Sequence, residues 1–205
     1  MESRHIFASY EPNLKLFNKS YGEWTCEWWR WLLSSPASTN PLFDETGVYA
    51  DNNQPSSDVW FLAGCFPNVQ KKYPSRTATI PEGRSILFPV INCSASKLEY
   101  PHLKTESDLI EHVEKDMDSI VRKNCFINGY RVTPERIHSD PTLFPVTIHK
   151  DNAFNIEGGG RTLAVGDGFW VFLKPLMPGE YMIEFEGSCE LGRLNSGASY
   201  KIKAL

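Results

Sequence analysis

Four of the six tryptophans crowd into eight positions, within SYGEWTCEWWRWLLSSP at residues 20–36. Ser20 stands three residues before Glu23, the Ser-x-x-Glu spacing in which each side chain satisfies the other's free backbone N–H. Pro36 closes the helix that this box opens. At about 100° per residue, Tyr21, Trp24, Cys26, Trp28, Trp29, Trp31, Leu32 and Leu33 sweep roughly 220°, about twice the stripe of a surface helix. Only Glu23, Glu27 and Arg30 mark a polar side. Such a helix must be covered on most sides, so the tryptophans read mainly as core. A buried indole still needs a partner for its N–H, which leaves single rings, Trp28 among them, free to face a polar pocket.

The rest of the chain supplies the cover. From Cys125 onward, CFINGYRV reads as a hairpin whose Asn128–Gly129 pair suits a type I′ turn. The segments FPVTIHK, TLAV, FWVFLKPL, EYMIEFEG and SYKIKAL follow, separated by DNAF, EGGG, GDG, MPGE and NSGA. Turn signals at about 8–12-residue spacing predict an antiparallel sandwich or barrel. Upstream, VWFLAGCF (59–66) and the strand 85–91, ending at Asn92, are apolar without alternation, as strands buried on both faces are. A second helix begins after Thr105 and carries one narrow stripe, Leu109, Val113, Met117, Ile120 and Val121, which places it on the outside. The expectation is one domain over residues 1–205. It is a mainly β fold, an antiparallel β-sandwich of Ig-like or jelly-roll-like form, with one buried Trp-rich helix and one peripheral helix. Residues 1–124 hold the helices, a long loop and the buried strands; residues 125–205 hold the antiparallel segment.

Charge and motifs narrow the functions. The net charge is −4, and the basic residues are scattered, which argues against a nucleic-acid partner. No apolar run reaches the ~18–20 residues of a spanning helix, so no membrane is expected. The first residues lack a basic and then apolar leader, which reads as cytoplasmic; a processed secreted chain would begin the same way. The five cysteines are odd in number, widely spaced and without a C-x-x-C pair, and read as buried free thiols. Neither Cys65 nor Cys93 has a histidine nearby in sequence to activate it. No phosphate loop, dinucleotide fingerprint, G-x-S-x-G or H-E-x-x-H occurs, so no cofactor is expected. His138, Asp140 and His149 are the nearest approach to metal-ligand spacing, but they read as surface groups, and no metal is expected.

Two places remain for a site. The polar stretch 37–58 is long for a connection between buried elements, and long ordered loops are often functional. Asn40, Asp44, Gln54, Arg76 and Asn92 stand at the edges of buried elements. With Trp28 or Trp60 as an apolar wall they could line a pocket for a small polar molecule, or they could tie the loop down through Asx-turns and caps. Glu184 and Glu186 share one face of their strand. If that face lines a pocket, the pair could divide acid and base roles. The leading reading is therefore a small-molecule-binding protein. The alternatives are a cofactor-independent acid–base hydrolase or lyase using Asp44 or the Glu184/Glu186 pair, and a structural or interaction module.

The series EWWRWLLSSP, NPLFDETG and VWFLAG, followed by IPEGRSILFPVIN and GDGFWVFLKPLMPGEYMIEFEG, resembles a family of mostly uncharacterised bacterial and archaeal proteins. The likeness covers most of the chain and carries no activity with it; members often begin with a secretion signal. LMPGEY also resembles the Leu-x-Pro-Gly-x-Tyr hairpin of many Ig-like sandwiches, which implies a fold and no chemistry.

Overall fold

The structure is a computed structural model that describes residues 7–65, 73–190 and 194–205. Helix α1 (Tyr21–Ser34) is capped by Ser20, whose Oγ accepts from Glu23 N at 3.1 Å, while Ser20 N donates to Glu23 Oε2 at 2.7 Å. Helix α2 (Glu106–Asp118) carries the same reciprocal cap between Thr105 and Asp108. It ends two residues before Ile120, so Ile120 and Val121 open the next strand and do not extend its stripe. A 3-10 turn, Ala37–Thr39, follows α1.

Two five-stranded sheets make up the remainder. The first holds β1 (Val59–Phe61), β3 (Ser85–Ser96) and β8 (Gly160–Leu173), with β6 (Glu135–His138) and β7 (Phe144–Ile148) sharing the far edge of β8. The second runs β2 (Ser75–Ile80), β10 (Asn195–Ala204), β9 (Gly179–Cys189), β4 (Ile120–Ile127) and β5 (Tyr130–Arg131). Both sheets are mixed, which corrects the purely antiparallel expectation: β1 runs parallel to β3, and β2 parallel to β10. Each parallel strand is reached by a connection from a distant part of the chain, and local turn signals carry no information about that.

The unbroken apolar runs have a direct cause. Leu87, Trp170 and Phe172 join the α1 tryptophans in one cluster, while Phe88, Val90, Val171 and Leu173, from the same strands, join Ile183, Phe185, Tyr200 and Ile202 of the second sheet in another. The first sheet is thus buried on both faces, where alternation disappears. Trp24, Trp28, Trp29 and Trp31 are all under 5 % exposed. Trp29 and Trp170 meet Trp28 edge-on at 5.0 and 5.3 Å.

Strand bounds differ from expectation in several places, and the strand expected at 85–91 runs on to Ser96. Only Val59–Phe61 of the 59–66 run is strand, and Phe66 lies outside the described residues. GDG (166–168) is no turn but the middle of β8. A Cβ on Gly166 would stand 2.9 Å from Trp29 Nε1, and one on Gly168 2.5 Å from Asn92 Cβ. Glycine is present because other groups lie against the strand, and composition alone does not separate that from a turn.

Candidate functional site

Segment 37–58 is held by the side chains that sequence singled out. Asn40 Nδ2 donates to Leu32 O (2.9 Å) and its Oδ1 accepts from Leu42 N (3.0 Å), closing the end of α1. Asp44 accepts three backbone N–H bonds, from Thr46 (3.0 Å), Gly47 (2.8 Å) and Tyr49 (2.9 Å). Gln54 behaves as a strand partner for β1: Nε2 donates to Phe61 O (2.9 Å) and Oε1 accepts from Phe61 N (2.8 Å), while Nε2 also reaches Ala50 O. Trp28 Nε1 donates to Leu62 O at 2.9 Å and Trp31 Nε1 to Asn52 O at 3.1 Å. Trp31 thus pins the segment to the helix, and Trp28 pins the residue just past β1.

Arg76 is 1 % exposed. Its Nε donates to the backbone carbonyl of Asp44, and its Nη1 to Ala63 O and the Tyr200 hydroxyl. Asp44 and Arg76 are therefore joined through a backbone oxygen. Asn92 lies in mid-strand on the α1 side of the first sheet, across from Gly168, because β3 continues to Ser96. The structure thus brings Asp44 to Arg76 and Gln54 to β1, but leaves Asn92 and Trp28 in the core beneath α1.

Glu184 and Glu186 share the outer face of the second sheet. Glu184 is exposed, and Glu186 accepts from Asn124 Nδ2 at 3.1 Å with Arg122 Nη1 at 3.7 Å. His138, Asp140 and His149 are engaged separately: His138 Nδ1 lies 3.6 Å from Asp167 Oδ1, Asp140 accepts from Ser20 Oγ, and His149 Nδ1 contacts the backbone of Asp151. Among the described residues, no three His, Cys, Asp or Glu side chains are grouped to hold a metal ion. The five cysteines are free thiols, and Cys93 is the only one not fully buried. Burial pushes Cys26 and Cys125 up to about 12, and raises Cys65 and Cys93 as well; such thiols stay protonated and are poor nucleophiles. A separate charged network, Asp118–Arg136–Asp167, ties α2, β6 and β8 together, with Asp167 buried.

One concavity that the long segment shapes is a groove of about 770 Å³. One lip is the turn after Asp44. Thr46 O accepts from Thr77 N at 2.8 Å, so the turn lies along the β2 edge. Gly47 makes that approach possible: its φ is +96°, and a Cβ there would fall 2.0 Å from Thr77 O. The other boundaries are Trp60, with the Arg84 guanidinium 5.3 Å from its ring, and rows of side chains on β2, β10 and β9. One row is Thr77, Lys201 and Met182; the next is Thr79, Lys203 and Glu180. Of the candidate residues only Trp60 lines this groove. The floor residues went unread in the sequence, although Lys201 and Lys203 alternate with Tyr200 and Ile202 as a one-faced pattern should. No family model matches the chain, and comparison with curated proteins and with solved structures gives no match.

Proposed function

We propose that this protein is a β-sandwich that binds a small polar molecule in the groove beneath the 44–51 turn. The sandwich rests on the shared apolar cluster: side chains of β1, β3 and β8 interdigitate with those of β2, β4, β9 and β10. The observation that carries the binding reading is the fixed lip. Three backbone N–H bonds to Asp44, the Arg76–Asp44 carbonyl contact and the Gly47 approach to Thr77 hold the turn against the β2 edge, where it walls one side of the groove. A rigid lip lowers the ordering cost that a ligand would otherwise meet. The groove also mixes the apolar Val48, Met182 and Trp60 with amine, hydroxyl and carboxylate groups, as small-molecule sites do.

Acid–base chemistry has less support at Asp44 and Glu186, although Glu184 and Glu186 together line a cleft of about 350 Å³. Asp44 is occupied by backbone donors, and Glu186 by Asn124 and Arg122. A general base needs a lone pair within reach of its substrate. The test is a fragment screen followed by backbone amide shifts in the NMR spectrum. Binding should move amides of residues 47–51, 77–79, 180–182 and 201–203. Hits that cluster instead at the smaller cleft of about 580 Å³ between segment 7–12 and residues 130–135 would move the site.

A further inference from the structure

Resting on that reading of the groove, we propose that its ligand is an organic anion: a carboxylate on a compact, flat apolar body, met by the Lys201 ammonium. The cross-strand register makes the argument. Lys203 stands directly opposite Glu180, a placement in which the two charges offset each other. Lys201 stands between Thr77 on β2 and Met182 on β9, with no carboxylate directly opposite. Among the described residues neither Lys201 nor Lys203 makes an ion pair. Asn128 adds a second donor. Its Oδ1 accepts from Met182 N at 2.7 Å, so the amide is oriented by its oxygen, and its NH2 has no hydrogen-bond partner among the described residues.

The remaining carboxylates are placed differently. Asp51 sits on the exposed lip, and Glu184 lies diagonal to Lys201 along β9. At the floor centre Lys201 and the Asn128 NH2 are donors, and the nearest lining carboxylate, Glu180, stands opposite Lys203. Trp60, Val48 and Met182 bound the same space with apolar surface, and the Trp60 indole N–H is shielded from solvent. A flat apolar body therefore meets the Val48 and Met182 side chains, with Trp60 4 % exposed at the boundary, while its carboxylate faces Lys201 and the Asn128 amide.

The test uses three probes of one shape and different charge: benzoate, benzamide and benzylamine, titrated at low ionic strength against the full chain and followed by groove amide shifts. Benzoate should bind tightest, by about fivefold over benzamide, the upper scale of an exposed ion pair. Benzylamine should bind weakest. Lys201→Met keeps the apolar stem and should erase the preference, Lys201→Arg should restore it, and added salt should shrink it. Benzylamine binding tightest, or a benzoate preference that survives Lys201→Met, would overturn the inference while leaving the groove as a site. Silence from all three at millimolar concentration overturns it too; the underlying reading falls only if the wider screen also places nothing there.

Discussion

Gln54 shows how much one side chain can hold. Its amide pairs with both backbone groups of Phe61, which is wholly buried, and with Ala50 O as well. Removing it leaves a buried N–H and C=O without partners, and each such group costs about 1–3 kcal/mol. Gln54→Ala should therefore lower stability by about 2–4 kcal/mol, read as a drop in Tm, with groove affinity changed less than stability. Gly47 acts the opposite way, since its role is steric. Gly47→Ala forces a Cβ against Thr77 O at positive φ, and should displace the lip. Weakened groove binding beside a lower Tm is the expected result, and unchanged binding would detach the turn from the site. The polar residues of segment 37–58 were visible in the sequence because Asn, Asp and Gln between buried elements have few other uses. Whether they faced a ligand or the backbone was not visible, since the same amide can do either and only the fold decides which acceptors are near.

Elements were legible where their signals were local. Both capping boxes and the Asn128–Gly129 turn, with φ of 48° and 80°, are written in neighbouring residues. The length of β8 was not, because Gly166 and Gly168 carry a turn's composition while serving close contacts with Trp29, Trp170 and Asn92. The groove floor was likewise hidden, as its rows join strands distant in sequence. One connection also carries a pH response. Glu99, between β3 and α2, is raised by burial from the ordinary carboxylate range to about 7, partly offset by its hydrogen bond with Tyr100. Tyr100 in turn packs against the His112 ring of α2, tilted by 50° at 4.4 Å. A carboxyl raised in the folded state binds its proton more tightly there than when unfolded. Its contribution is therefore largest in acid and falls as pH climbs from about 4.5 to about 7. Chemical denaturation across that window should show this decline, and Glu99→Gln should flatten it.

At the scale of the molecule, the layering sets where stability resides. The first sheet is covered by α1 on one face and by the second sheet on the other, so β3 and β8 have apolar neighbours in both directions. Their side chains bury fully: Leu87, Phe88, Val90, Ile91 and Phe172 are all 0 % exposed. Each such side chain contributes about 1.5–3 kcal/mol by leaving water, more than any single surface contact around the groove. Among the described residues the second sheet is covered mainly on one face, and the groove, the 44–51 lip, Lys201 and Glu184 all lie on its outer side or its β2 edge. The proposed binding groove thereby falls on the more exposed layer, with the more deeply buried sheet behind it. Native-state hydrogen exchange is the measurement that separates them. Amides of residues 86–88, 90–91 and 169–173 should exchange only through global unfolding, whereas those of 46–51 should exchange through smaller openings. Ligand bound in the groove should slow the second set and leave the opening energies of the first to rise only with global stability. Exchange at 46–51 as slow as in β8 would mean that the lip is part of the core, and that the groove beneath it is closed to a ligand.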